Sequence, residues 1–125
     1  MSNLEIAKKV CIAWCTKDIT TLQEYLHDNY EFTGPMTGTK TKEQSIECVQ
    51  SCNFESSIEN CEVIEQNNKL VHAFDMVITA PLQSRIPTVE IMEFENGKVI
   101  KSRMFFDTAL FPQAEKGSCC DTNVA

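Results

Sequence analysis

The sequence predicts an α+β fold, with three N-terminal helices packed on a curved antiparallel sheet. Up to about residue 52, apolar residues recur at helical spacing behind capping signals. Beyond residue 56 the apolar pattern changes to period two. In addition, "ENGK" at 95–98 reads as a two-residue hairpin turn, because Asn96 and Gly97 tolerate positive φ.

Taken in order, Ser2 followed by Glu5 predicts a capping box that opens a helix to about Cys15. Leu4, Ala7, Cys11 and Trp14 form its apolar stripe. Asp18 caps a second helix to about His27, with Leu22, Tyr25 and Leu26 inward and His27 as a favourable charge at its end. A short strand at 30–33 then breaks in "YEFTGPMTG", where Gly34, Pro35 and Gly38 favour turns. Thr41 and Gln44 make a second capping box, for a helix to about Cys52 that buries Ile46 and Val49. Strands follow at about 57–66, 70–80, 85–95 and 98–107, separated by "QNNK", "APLQS" and "ENGK".

The 125 residues suit one domain over 1–112, with 113–125 expected to be a flexible polar tail. Net charge is −7 and the basic residues are scattered, which argues against nucleic-acid partners and anionic membranes. No apolar run approaches the roughly 20 residues of a membrane span. The N-terminus lacks the long apolar segment of a signal peptide, so a cytoplasmic protein is expected. Seven cysteines, an odd number, suggest reduced thiols rather than a disulfide framework. Cys11/Cys15 and Cys48/Cys52 are each four apart and could together offer four thiolates to zinc. That spacing is wider than metal knuckles use, and the four read as small core residues. No metal and no cofactor are expected. Cys119 and Cys120 fall in the tail, and Thr122 occupies the position a prenylated Cys would need.

Alternation sorts the strands into faces. Ile86, Thr88, Glu90, Met92 and Phe94 share one face of the strand at 85–95. On the last strand Ile100, Ser102, Met104 and Phe106 oppose Val99, Lys101, Arg103, Phe105 and Asp107, whose partly charged face is expected outward. Glu90 thus lies mid-strand among apolar neighbours, where desolvation would favour the protonated acid as a hydrogen-bond donor. The alternative is a bulge that re-registers the strand and turns Glu90 to water. Asp75 interrupts "LVHAFDMVITA" on a face with small Val71, Ala73 and Val77, as a cavity wall would have. The opposite face, with Leu70, His72, Phe74, Met76 and Ile78, reads as a packing or subunit surface and makes His72 a structural or interface histidine. Together with Val99 and Phe105 it predicts a homodimer through the sheet. No Ser-His-Asp order, Gly-rich phosphate loop or zinc-protease motif is present.

"KDITTLQEYLHDNYEFTGPMTG", "TKEQS", "VEIMEFENGKVIKSRMFFD" and the order of elements between them resemble the nuclear transport factor 2-like superfamily. That superfamily includes ketosteroid isomerases, SnoaL-like polyketide cyclases and limonene epoxide hydrolases. The resemblance spans residues 4 to about 111 and implies a cone-shaped domain around a cavity. It also implies where chemistry would sit. The isomerase base position, just before the turn proline, is Gly34 here. The oxyanion-binding tyrosine position on the first helix is Val10, and the protonated acid before the hairpin matches Glu90. A carboxylate of the epoxide hydrolases is replaced by Met104, and Asp107 falls outside the cavity.

The expected function is binding of a small hydrophobic molecule by a SnoaL-like protein. Its pocket would be lined from the helices by Trp14, Leu26 and Val49 and from the strands by Phe32, Met92, Met104 and Phe106. The alternative is an isomerase, cyclase or epoxide hydrolase acting on an apolar carbonyl or epoxide. Glu90 would then be acid or oxyanion donor and Asp75 the base.

Overall fold

The computed structural model describes residues 1–111, so the expected tail, with Cys119 and Cys120, lies outside the described residues. Helix α1 (Asn3–Thr16) begins where Ser2 Oγ accepts the Glu5 amide at 3.1 Å. The Glu5 carboxylate meets the Ser2 hydroxyl rather than its backbone, so this box is half built. Lys17 ends α1 in the left-handed region, and its Nζ donates to the Cys52 carbonyl at 2.8 Å. Asp18 caps α2 (Ile19–Tyr25) by accepting from the Thr21 amide and hydroxyl. The chain turns directly into β1 (Leu26–Gly34), which is longer than predicted. His27 therefore sits on a strand and not at a helix end, paired with Glu95 at 3.2 Å.

A short strand that alternation alone did not predict, β2 (Gly38–Thr41), folds back on β1 across the Pro35 turn. Helix α3 (Lys42–Ser51) carries the complete capping box of Thr41 and Gln44. Its first residue also ties the layers together: Lys42 Nζ donates to the Gln23 and Leu26 carbonyls at 3.0 and 2.9 Å. Strands β3 (Glu55–Gln66), β4 (Lys69–Ala80), β5 (Ser84–Glu95) and β6 (Lys98–Phe106) follow within a residue or two of the predicted spans. The curved, unclosed sheet has the order β2-β1-β6-β5-β4-β3. All neighbours are antiparallel except β1 and β6, which run parallel. Among the described residues, no helix is long and apolar enough to cross a membrane.

One expected face is inverted, and another is shifted at its start. On β4, Leu70, His72, Phe74 and Ile78 are buried toward the helices, and Val71, Ala73, Asp75 and Val77 lie on the outer face. Both faces of β4 are apolar, so residue size misled where hydrophobicity could not decide. On β6, a register shift between the Phe94–Val99 and Glu93–Lys101 pairs brings Val99 inward beside Phe94, and Ser102, Met104 and Phe106 continue that face. The homodimer surface expected from Leu70, Phe74, Met76, Ile78 and Val99 is therefore interior, and Phe105 alone of that group is exposed.

The α1 residues Ile6, Ala7, Val10 and Ala13 pack with Leu70, Met92 and Val99 into the main core. A smaller cluster of Phe54, Ile78 and Ile86 forms at the other end. An apolar cavity of about 220 Å³, whose wall draws on members of both clusters, lies between the helices and the concave sheet.

Candidate functional site

Glu90 is 2% exposed and lines this cavity, so the strand keeps its register and the bulge alternative fails. Regular pairing does this: Glu90 is directly opposite His72 on β4 and Met104 on β6. His72 Nε2 lies 2.7 Å from Glu90 Oε1, with His72 3% exposed. The other carboxylate oxygen, Oε2, is buried with no hydrogen-bond partner among the described residues. His72 is thus a buried partner of the cavity acid, not an interface residue.

Cys11, from α1, completes the cluster with its Sγ 3.9 Å from His72 Nε2. Burial pushes its thiol well above the usual range, and the Glu90 charge adds to the rise. Burial also raises Cys15, one turn further along α1, against a smaller opposing hydrogen bond with Ser56. On the far side of the ring, Cys61 Sγ stands 3.7 Å from His72 Nδ1. A register shift between Glu59 and Glu62, with Asn60 at φ 56, sets this part of β3. Behind Glu90, the Tyr30 hydroxyl is fully enclosed. Burial first and the Glu90 charge second drive its pKa far up, while the neighbouring Ser102 hydroxyl opposes the rise without reaching hydrogen-bond geometry.

Of the expected wall residues, Trp14, Phe32, Val49, Met104 and Phe106 line the cavity. Trp14 and Phe32 tilt at 52° with ring centroids 6.4 Å apart. Leu26 and Met92 do not line it: both are fully buried in the main core beneath α1. Asp75 does not belong to the site either. On the outer face it accepts from Asn60 at 2.9 Å and from Arg85 at 3.0 Å, and those hydrogen bonds hold its carboxyl below the usual range. Among the described residues, Glu90 is the one carboxylate in the cavity wall. Asp107, as expected, is outside, capping a short 3-10 turn (Thr108–Leu110) through the Ala109 amide. Gly34 does line the cavity, and a Cβ there would come within 3.0 Å of the Phe32 ring.

The four cysteines of the helices line the cavity, but the donor atoms that converge on one point among the described residues are those of Cys11, His72 and Glu90 rather than those four. Sequence reasoning missed His72 and Tyr30. A signal existed for His72: residues equidistant from the β4–β5 turn must pair, which sets it opposite Glu90. Tyr30 was legible only as a strand former.

Compared by sequence, the chain matches no family model and no curated protein. Its architecture is that of the nuclear transport factor 2-like fold. A nuclear transport factor 2-like protein of unknown function from Burkholderia pseudomallei superimposes with TM-score 0.75 at 21% identity, covering 90% of this chain and 100% of that one. IdmH, a proposed polyketide cyclase from Streptomyces antibioticus, gives 0.73 at 9% identity over 88% of this chain and 95% of its own. An epoxide hydrolase of the limonene epoxide hydrolase-like type from Mycobacterium tuberculosis gives 0.72 at 13%, over 85% and 83%.

Proposed function

We propose that this protein binds a small hydrophobic molecule bearing one hydrogen-bonding group, with Glu90 as the polar recognition point. The observation that carries this reading is the Glu90 carboxylate. One oxygen is held by His72 and the other is buried, unpartnered, in the wall of a largely apolar cavity. A buried polar atom without a partner is costly, and a ligand hydroxyl, amide or carbonyl of matching protonation removes that cost. At about 220 Å³ the cavity suits a ligand smaller than those of drug-sized sites, which occupy roughly 300–1,000 Å³. Trp14, Phe32 and Met104 supply apolar walls with little polar competition.

A second reading, an isomerase, cyclase or epoxide hydrolase on an apolar carbonyl or epoxide, is favoured by the short His72–Glu90 contact, which pairs an acid with a base. It would have to work without Asp75, so Glu90 and His72 would share the proton transfers. Similarity to a proposed cyclase and an epoxide hydrolase supports the compatibility of the fold with such chemistry. We further propose a homodimer through the outer sheet face, where Val89 and Phe105 are exposed next to half-buried Val71, Ala73 and Ile91.

The test is calorimetric titration of a panel of small phenols and cyclic ketones, each beside its hydrocarbon analogue. Glu90→Gln should weaken the phenols, whose hydroxyl donates to the carboxylate, by roughly 10- to 100-fold, the worth of a charge-assisted hydrogen bond, and leave the hydrocarbons unchanged. Equal affinities for both proteins across the panel would remove Glu90 from recognition. Turnover of any panel member, lost in Glu90→Gln, would favour the second reading.

A further inference from the structure

Helix α1 and the neighbouring strands β4 and β5 bring three good metal donors to one point at the cavity wall. Cys11 Sγ, His72 Nε2 and a Glu90 carboxylate oxygen all lie within 4.8 Å of one another. All three side chains are enclosed, and Cys11 and Glu90 face the cavity.

The spacing suits a tetrahedral ion. Bonds of about 2.0–2.3 Å to nitrogen, oxygen and sulfur set neighbouring donors about 3.3–3.7 Å apart. Cys11 Sγ and His72 Nε2, at 3.9 Å, need only a slight approach. His72 Nε2 and Glu90 Oε1, at 2.7 Å, must part by roughly the shift a side-chain torsion allows. His72 and Glu90 are fixed opposite each other by strand pairing, so two of the donors are held by rigid elements.

Charge and donor chemistry narrow the ion. A thiolate and a carboxylate together balance a divalent cation, so the filled site is neutral in its apolar wall. Thiolate with imidazole favours zinc over magnesium or calcium. Cys61 Sγ, 3.7 Å from His72 Nδ1, supplies the outer contact that holds a ligating ring in place.

We propose that Cys11, His72 and Glu90 form a mononuclear Zn²⁺ site whose fourth position faces the cavity. Such a site is of the three-ligand, open type used for Lewis-acid chemistry. It draws on the same Glu90 carboxylate as the ligand-binding reading but is tested apart from it, since metal uptake is measured without any organic ligand.

The test uses the full-length chain, stripped with a chelator and titrated with Zn²⁺ and, as a spectroscopic stand-in, Co²⁺. One equivalent of zinc by mass spectrometry of the metal, and a Co²⁺ spectrum with thiolate charge transfer and strong tetrahedral bands, are expected. Cys11→Ser should abolish the charge-transfer band and weaken zinc binding by more than the roughly 10- to 100-fold that loss of an outer-shell partner costs. His72→Ala should do the same to affinity, while Cys119→Ser/Cys120→Ser should change nothing. Less than one equivalent, or a weak octahedral Co²⁺ spectrum, in the wild type overturns the proposal whether or not the variants fold. So does binding that survives Cys11→Ser, or that disappears with the two tail thiols.

Discussion

His72 and Glu90 face each other across β4 and β5 with 2.7 Å between Nε2 and Oε1, and both are shut off from solvent. A buried pair of this kind is expensive to break and cheap to replace. His72→Leu alone should destabilise the metal-free protein by about 3–5 kcal/mol, because Glu90 loses its partner in apolar surroundings. The double variant His72→Leu/Glu90→Leu should recover most of that loss. Urea unfolding of all four members of the cycle measures the coupling, and simple additivity would mean the two groups do not interact.

In the metal-free protein the alkaline limb of stability should be set by buried acids. Cys11 and Cys15 are raised from 9.0, and Tyr30 from 10.0, chiefly by desolvation. In each case the native state keeps a proton that the unfolded chain has released, so stability is full below the unfolded value and falls as pH rises past it. The urea midpoint should therefore be level between about pH 7 and 8.5 and decline from about pH 9 upward. Cys11→Ala should flatten the first part of that decline. On the acid side the sign reverses: Asp75, lowered by Asn60 and then Arg85, contributes stability that is lost as pH falls below 3.8.

Two glycines should respond to Ala for opposite reasons. Gly97 has φ 75 with open space around it, so Gly97→Ala meets only backbone strain, about 1–2 kcal/mol of stability, and leaves ligand binding intact. At Gly34 an added Cβ sits 3.0 Å from the Phe32 ring, which must shift against the cavity. Overpacking of that sort costs about 1–3 kcal/mol and should appear as weakened binding of the panel ligands. Calorimetry beside urea unfolding separates the two effects.

The outer face gives the fourth expectation. Phe105 is 50% exposed, with the Arg103 guanidinium 6.0 Å from its ring centroid. Phe105→Glu should convert the proposed homodimer to a monomer in sedimentation at micromolar concentration, without lowering the unfolding midpoint of the monomer. A wild type that is monomeric throughout that range would remove the dimer.

Much of the fold was readable because its signals were local. Thr41 with Gln44, Asp18 before Thr21, and Asn96-Gly97 each specify a backbone geometry without help from the rest of the chain. Glu90 was only half readable: Thr88 and Met92 share its face, but both faces of β5 are partly apolar, so alternation left the bulged, exposed alternative open until strand pairing decided it. The faces of β4 were not readable, since Val71 and Leu70 are equally apolar and only pairing with β5 separates them. The register shift that brings Val99 inward appears only once β5 and β6 pair, and the meeting of Cys11 with His72 joins residues 61 positions apart in the chain. Val10, where a tyrosine would serve an isomerase, is packed solid in the main core, while Tyr30 approaches the acid from β1 instead.

The strand order has a biosynthetic consequence. β6, the last of the described strands to leave the ribosome, occupies the slot between β1 and β5, so both of those edges wait open until it emerges. Until β6 docks, Met104 and Phe106 are missing from the wall around Glu90, and the N-terminal and C-terminal halves are not yet stitched together. A nascent chain stalled before residue 98 thus presents two sticky strand edges and no finished chamber, the kind of species most exposed to mispairing.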